Sequence, residues 1–362
     1  MRKTIYFFIF NFVIVSIAAY FLFSKEIISI IDDNKTYEVK KPNIIDIDTL
    51  DTVAMYKRGI LSYNNQKFIY LDYENNIIWK NENTIFADKV YISEDNIYKC
   101  SENKVEIVQN RQGYVIAEIS EQIINVSREK NKTCIITSQV NNNNSLYILN
   151  DKNEMIVENK QFSDLITGVS ISDKSEGYCV NTINYKSGKI NSKLTYNLID
   201  DLELWSQNFE NELIIGTEIL NNNVIAIGTE NVYYFNSNGK LLWKNKNYSR
   251  IKYFEFDDMN ERVYILFDKN HRTELLSYNF EGKVKELYKV PNNTKKIKVY
   301  DNKVFVYNDN SILMLHDSRC DILYELNEGE IIDFNIESNN IYILLKDKLI
   351  KGQISKKTGG IL

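Results

Sequence analysis

The chain has 362 residues, of which 26% are charged and 44% hydrophobic, and its 44 Lys and Arg residues are outnumbered by 49 Asp and Glu residues. This composition is typical of a folded globular protein and excludes a disordered chain or a polytopic membrane protein. A formal net charge of −5 leaves no basic surplus for a phosphate backbone, so nucleic-acid binding is not expected. Two His and four Cys residues offer few ligands for a metal or a haem.

The N-terminus predicts a transmembrane signal-anchor over residues 1–24. Arg2 and Lys3 precede the apolar stretch 4–23, whose 20 residues would span roughly 30 Å as a helix, the thickness of a bilayer core. A cleaved signal peptide with small residues at 16–18 is the alternative, but the apolar stretch continues beyond that point. The lipid bilayer is therefore an expected partner. The basic residues place the N-terminus in the cytoplasm and the remaining chain outside the cell membrane, in a single-pass topology.

A repeated pattern follows this segment: a strand, a short polar turn, and a second strand that contains a large apolar residue. The clearest copies contain Trp79, Trp205 and Trp243. The predicted turn residues of all copies are Asn75, Gly113, Asn153, Asp201, Gly239, Gly282 and Cys320. All except the cysteine are types that tolerate the left-handed backbone of a hairpin turn. The turns recur about every 40 residues, a period typical of propeller blades.

Each interval also contains further short runs rich in β-branched and aromatic residues, without the 3.6-residue period of a helix. The pattern predicts an all-β fold, a single β-propeller of four-stranded antiparallel blades, with eight blades favoured and seven possible. The last unit supplies only three strands, and residues 44–48 are predicted to complete it and close the ring. Extra residues in the fourth repeat predict a long hairpin in which 178–183 pair with 193–198.

These patterns divide the chain into four parts. Residues 1–24 are the predicted signal-anchor, residues 25–43 a linker, residues 44–356 the propeller and residues 357–362 a tail.

The segment from Gly239 to Trp243 has the sequence Gly-Lys-Leu-Leu-Trp and follows a strand and an Asx-rich turn. It resembles the G-K-x-x-W blade signature of the PQQ-like (quinoprotein-type) propeller superfamily. It is also similar to membrane-anchored propeller proteins of unassigned function in low-GC Gram-positive bacteria. Asn236 departs from the quinoprotein pattern, because it lies three residues before Gly239, whereas that family usually has an acidic residue four before it.

The resemblance implies a possible quinone cofactor, and the cysteines argue against one. Dehydrogenases of that superfamily use a disulfide between adjacent cysteines. Here the cysteines are far apart in the sequence, at Cys100, Cys134, Cys179 and Cys320. We therefore expect no cofactor. The favoured interpretation is four buried thiols, with Cys134 and Cys179 as the pair that could form a disulfide.

Other candidate chemistry is sparse. Asp46 and Asp48 share one side of a strand and could contribute to a Ca²⁺ site, but a solvated strand face is the favoured interpretation. His271 and His316 have no second histidine nearby, so no metal ligand is assigned. Because the three tryptophans share one place in the repeat, they and Gly239 are predicted to be structural residues that pack blade against blade.

Together these features predict a membrane-anchored, extracytoplasmic propeller that acts as a non-enzymatic binding or scaffolding module for an envelope protein or polymer, bound on one flat face. The alternative is an envelope hydrolase or lyase whose carboxylates converge at the central channel from different blades. The propeller fold alone does not distinguish between these two functions.

Overall fold

The computed structural model describes residues 37–356, except residues 83–86, 94, 102, 110, 140–142, 173–176, 187, 201, 247–249 and 317–318. Its 32 strands form eight four-stranded antiparallel sheets. The first strands of neighbouring sheets contact one another, including those of the first and last sheets, so the sheets close into a ring. The prediction of a β-propeller with eight four-stranded blades is confirmed.

In seven blades the strands run in chain order from the centre to the edge, and in the eighth the outermost strand is β1, from the start of the domain. Blade 1 is β2 (Thr52–Tyr56), β3 (Gly59–Tyr63), β4 (Lys67–Leu71) and β5 (Ile77–Glu82), and blade 2 is β6 (Lys89–Ser93), β7 (Asn96–Ser101), β8 (Lys104–Gln109) and β9 (Gln112–Glu118). Blade 3 is β10 (Gln122–Glu129), β11 (Lys132–Ser138), β12 (Asn144–Leu149) and β13 (Met155–Phe162), and blade 4 is β14 (Leu165–Ile171), β15 (Gly177–Lys186), β16 (Lys189–Leu198) and β17 (Glu203–Phe209).

Blade 5 is β18 (Ile214–Leu220), β19 (Asn223–Gly228), β20 (Asn231–Phe235) and β21 (Leu241–Lys246), and blade 6 is β22 (Ile251–Asp257), β23 (Arg262–Lys269), β24 (Arg272–Asn279) and β25 (Val284–Val290). Blade 7 is β26 (Lys296–Tyr300), β27 (Lys303–Tyr307), β28 (Ser311–His316) and β29 (Arg319–Glu325). Blade 8 is β30 (Asp333–Glu337), β31 (Asn340–Leu344), β32 (Lys348–Lys356) and β1 (Tyr37–Asp46).

The hydrophobic core lies between neighbouring blades. The middle strands are covered on both faces, so β12 and β20 are buried along their whole length and β20 reads as an almost continuous apolar run. Outer strands such as β5 alternate between buried and exposed residues. Between blades 4 and 5, for example, Leu194 and Tyr196 pack in one cluster with Ile219 and Val224. Burial of these layers supplies the main driving force for closing the ring.

The ring is closed by β1, which pairs with β32 from Tyr37 opposite Lys356 to Asp46 opposite Lys348. The prediction that the start of the domain completes the last blade is confirmed. The strand begins at Tyr37 rather than near residue 44, so residues 37–43 of the predicted linker belong to the blade. Gly352 permits close approach of this strand, because a Cβ there would lie 2.2 Å from Cγ1 of Val39.

The structure also tests the predicted turns. Left-handed backbone occurs at Asn75, Asn153, Gly239 and Gly282, with φ between +63° and +80°. Two predicted turn residues were wrong: Gly113 lies within β9 and Cys320 within β29. Asp201 lies outside the described residues.

The predicted long hairpin of blade 4 is confirmed. Tyr178 is opposite Asn197 and Ile183 is opposite Ser192, and the pairing continues to Lys186 opposite Lys189.

The predicted anchor, the first part of the predicted linker and the predicted tail lie outside the described residues. Within the described part of the chain, no helix is long and apolar enough to cross a bilayer.

The closing strand gives a direct test of the domain boundary. A chain that begins at Tyr37 retains all of β1, whereas a chain that begins at Ile44 loses the pairing of residues 37–40 with residues 353–356. We expect the shorter chain to lose about 3 kcal/mol of unfolding free energy, because it loses ladder hydrogen bonds and the packing of Val39. Urea unfolding followed by tryptophan fluorescence measures the difference. Equal midpoints and slopes for the two chains would contradict a role for residues 37–43 in closure.

Candidate functional site

The tryptophans of the repeat lie in blades 1, 4 and 5, and each docks its blade on the next. In blade 4 the indole Nε1 of Trp205 donates a hydrogen bond to the carbonyl oxygen of Ser237 in blade 5, at 3.0 Å. Two residues further on, Nε2 of Gln207 donates to the carbonyl oxygen of Gly239, at 2.9 Å. The Trp205 ring lies so close to this turn that a Cβ on Gly239 would be 2.6 Å from its Cγ. Trp205 and Gly239 therefore form one contact.

The same contact recurs one blade further on. Trp243 donates to the carbonyl oxygen of Phe280 at 2.9 Å, and Asn245 donates to that of Gly282 at 2.8 Å. A side-chain amide two residues after the tryptophan is thus a second docking group, which the sequence analysis missed although the spacing Trp-x-Asn/Gln was visible.

Blade 1 carries this motif as well. Trp79 is only 6% exposed, and the amide of Asn81 donates to the carbonyl oxygen of Arg111 in blade 2 at 2.7 Å. Trp79 and Trp205 are buried between blades and Trp243 is partly buried, so all three side chains are used in packing blade against blade.

The four cysteines are free thiols, of which Cys100, Cys134 and Cys179 are buried. Burial raises the pKa of all four thiols, that of Cys100 to about 12. Cys134 and Cys179 do not form the disulfide that the sequence left open.

Asp46 and Asp48 are exposed, and the part of the chain that the structure describes contains no group of three His, Cys, Asp or Glu side chains placed to hold a metal ion. His271 lies in a tight turn between two strands, and Nε2 of His316 lies 2.7 Å from Asp321 Oδ2.

Charged residues meet where the inner strands of blades 6, 7 and 8 adjoin. Lys298 on β26 donates to Asp333 Oδ1 at 2.8 Å and to the carbonyl oxygen of Phe334 at 2.6 Å. Tyr307 donates its hydroxyl to the same Asp333 oxygen at 3.1 Å. The Asp333 carboxylate is therefore paired and hydrogen-bonded rather than presented as a free base.

Glu255, on the inner strand β22, is the titratable group of this region. Its pKa is raised to about 7, chiefly by burial, with the positive charge of Lys298 opposing the rise and the negative charge of Asp257 adding to it. A carboxyl group with this pKa exchanges protons near neutral pH. The sequence analysis assigned Glu255 no role, because within one strand it is an ordinary alternating residue.

A second charged cluster joins blades that are not neighbours in the ring. Lys130, in the first turn of blade 3, lies 2.6 Å from Glu218 of blade 5 and 3.5 Å from Asp258 of blade 6. It also donates to the carbonyl oxygen of Ile219 at 3.0 Å. Lys130 therefore reaches past blade 4 to two blades that do not adjoin its own. The inner-strand carboxylates Glu218 and Asp333 each have a lysine partner.

The exposed apolar side chains lie mainly on the outer rim. Twelve of the 17 large apolar side chains exposed in the described chain belong to the outermost strands, and every blade contributes at least one. They are Ile44, Ile77, Ile78, Tyr114, Val115, Met155, Leu204, Leu241, Leu242, Val284, Leu287 and Ile322. The sequence analysis placed a partner on a flat face, whereas the apolar surface is concentrated at the rim.

Five of these side chains lie on the outer strands of three successive blades, 4, 5 and 6, and we call them the rim patch: Leu204, Leu241, Leu242, Val284 and Leu287. Trp205 docks on the turn before β21 and Trp243 on the turn before β25, so these contacts fix the positions of the three blades relative to one another.

The model of the family of unknown function DUF5711 matches residues 31–352, which is most of the chain and nearly all of the propeller. The chain belongs to the DUF5711 family. No curated protein matches it in sequence.

Two solved structures share its architecture. BamB from Moraxella catarrhalis is 10% identical with a TM-score of 0.50, and the match covers 87% of this chain and 99% of BamB. Sqt1 from Chaetomium thermophilum is 10% identical with a TM-score of 0.57, and the match covers 88% of this chain and 100% of Sqt1. At this identity the similarity establishes the β-propeller fold alone.

The blade contact predicts unequal effects of alanine at two glycines with left-handed backbone. Gly239→Ala should lower the unfolding free energy by about 3 kcal/mol, because it adds a clash with Trp205 to the cost of a left-handed alanine. Gly188→Ala should cost only about 1 kcal/mol, because its φ is similar but no atom lies within 4 Å of the added Cβ. Urea unfolding measures both, and equal losses would contradict the docking role of Trp205.

The raised pKa of Glu255 predicts a pH-dependent stability. The folded state holds the proton more tightly than the unfolded chain, so this group's contribution to stability falls as pH rises from about 4.5 to 7. Glu255→Gln removes that loss and should gain about 2 kcal/mol relative to the unmodified protein between pH 5 and pH 8. Urea unfolding at the two pH values measures it, with the exposed Glu118→Gln as the control. If Glu255→Gln changed the unfolding free energy by the same amount at both pH values, the raised pKa of Glu255 would be contradicted.

Proposed function

We propose that this protein is a membrane-anchored, extracytoplasmic β-propeller that binds a protein of the cell envelope through the rim patch and catalyses no reaction itself. The observation that carries the proposal is the ring of exposed apolar side chains on the outer strands, of which blades 4 to 6 carry the five of the rim patch.

The rim patch has the chemistry of a protein-binding surface. Large apolar side chains that remain exposed together on one part of a globular protein typically mark an interaction site. Each half-exposed leucine, such as Leu242, contributes about 1 kcal/mol when a partner removes it from water. Five such side chains on the outer strands of three successive blades supply a binding energy without an ordering cost in this protein.

The outer strands also have an open backbone edge. In the described sheets β17, β21 and β25 each pair with one strand only, so their outer backbone groups can hydrogen-bond to an added strand. An extended segment of the partner with alternating apolar residues would use both features, its backbone pairing with the edge and its side chains covering the leucines. A protein segment therefore fits this surface better than a polar polymer does.

The N-terminal segment supports the anchored location. Residues 4–23 are apolar and follow two basic residues, and the 13 residues 24–36 connect them to β1. Extended, 13 residues reach at most about 45 Å. The propeller would therefore work close to the outer surface of the membrane, where envelope proteins are concentrated.

Cross-linking in intact cells tests the proposal. A membrane-impermeant, amine-reactive cross-linker is applied to cells that produce the tagged full-length chain, and captured proteins are quantified by mass spectrometry. We expect one envelope protein well above the level of an unrelated anchored protein. The Leu241→Ser, Leu242→Ser double variant should recover it roughly 10-fold less, because about 2 kcal/mol of apolar burial is lost.

A matched control uses apolar side chains that are exposed but lie off the rim. The Met259→Ser, Tyr185→Ser double variant alters two of the most exposed of these and should leave recovery unchanged. Equal recovery by both double variants, or no protein above background, would contradict the proposal. Labelling of a Tyr185→Cys variant by an impermeant maleimide separates a wrong location from a missing partner, since the native thiols described are largely buried.

The channel supports a second candidate function, an envelope hydrolase or lyase. Glu255 carries a carboxyl group with a pKa near 7 beside the Lys298–Asp333 pair, an arrangement that suits proton transfer. An enzyme of this kind would lose activity in Glu255→Gln and keep it in the rim double variant. If the protein is a binding module, partner recovery should be kept in Glu255→Gln and reduced in the rim double variant.

A further inference from the structure

A cleft opens where the tryptophan docking pattern stops. In blade 5, Trp243 follows Gly239 by four residues and fills the space beside the next blade. In blade 6 the residue four positions after Gly282 is Glu286, which leaves that space open. The result is a cleft of about 380 Å³ between blades 6 and 7 that includes Glu286 in its lining.

The cleft is rich in positive charge. Arg262, Lys303 and Lys356 line it, and Glu286 is its one carboxylate among the lining residues. Arg262 Nη1 lies 3.3 Å from Glu286 Oε1, so this pair is largely neutralised. Among the residues that the structure describes, neither lysine forms an ion pair. The cleft thus has two uncompensated cations in a protein whose formal net charge is −5.

Hydroxyl donors complete the lining. Tyr37, Tyr264 and Tyr288 contribute phenol groups to the cleft. Burial raises the pKa of Tyr264 and Tyr288, so both hydroxyls stay protonated at physiological pH, and they hydrogen-bond to Arg262 and Glu286 respectively within the cleft. His316 also lines the cleft, with Tyr37 packed edge-on to its ring at 5.8 Å between centroids.

Closure of the ring builds this site. Tyr37 and Lys356 are register partners in the pair β1–β32, while the other cationic groups come from blades 6 and 7. The cleft therefore exists only in the closed propeller, at the point where the N-terminal segment joins the domain.

We propose that this cleft binds a phosphate group. A phosphate offers several acceptor oxygens and a charge of −1 to −2, which suits the ammonium groups of Lys303 and Lys356 and the neighbouring Tyr37 phenol. The volume exceeds that of phosphate alone, and Val304 and Met314 in the lining can pack against the organic part of a phosphomonoester or a phospholipid headgroup. This inference does not depend on the rim partner.

Binding measurements on the full-length chain, purified in a neutral detergent, test the site. Inorganic phosphate is titrated by calorimetry, and a flotation assay uses vesicles of phosphatidylglycerol or phosphatidylcholine at constant ionic strength. We expect saturable binding of phosphate or phosphatidylglycerol. The Lys303→Gln, Lys356→Gln double variant should weaken it roughly 10-fold or more, because each lysine supplies a charge-assisted hydrogen bond.

The control removes the same charge elsewhere. Lys104 and Lys283 are exposed and lie outside the cleft, so Lys104→Gln with Lys283→Gln should bind as the unmodified protein does. If the protein binds inorganic phosphate and the cleft variant loses that binding, the ligand is a soluble phosphomonoester. If the protein binds only phosphatidylglycerol and the cleft variant loses that binding, the ligand is a lipid headgroup. Binding of neither probe, or equal losses in the two double variants, overturns the proposal.

Discussion

The pairing of β1 with β32 is the constraint on which the molecule depends. The two ends of the domain lie in one sheet, so the eight blades cannot separate without breaking that ladder. A propeller left open would expose the apolar faces of its first and last blades, and closure packs these two faces against each other. Closure also fixes the channel and the phosphate cleft, because Lys130 meets carboxylates from two distant blades and Tyr37 meets side chains of blades 6 and 7 only in the finished ring.

Local chemistry made most of the fold predictable. Period-two alternation marks the strands, and a five-residue turn such as that from Asp72 to Asn76 needs a left-handed residue, which the sequence supplies at Asn75. The prediction failed at Gly113 and Cys320 because those connections are shorter. Gln109 pairs directly with Gln112 and His316 with Arg319, so a turn of two residues replaces the longer one and the following residues join the strand.

The charged clusters could not be predicted from the sequence, because their members are far apart along the chain. Glu255, Lys298 and Asp333 occupy equivalent inner strands of three successive blades, and each is an unremarkable polar residue within its own strand. Only the ring brings them together, and only burial inside it raises the pKa of Glu255. The cleft could not be predicted for the same reason. The sequence shows that blade 6 lacks the tryptophan, but whether the space is filled depends on blade 7 and on the closing strand.

The distribution of polar and apolar groups favours binding at the periphery over chemistry at the centre. Catalysis at a channel needs carboxylates free to exchange protons or hold a metal. Glu218 and Asp333 are each held by a lysine, although burial raises the pKa of Glu218 as well as that of Glu255. At the rim, by contrast, leucines remain exposed to water on strands where polar residues would not disturb the core. Because the docked tryptophans already hold these strands rigid, a partner that covers the leucines gains apolar burial without ordering the propeller.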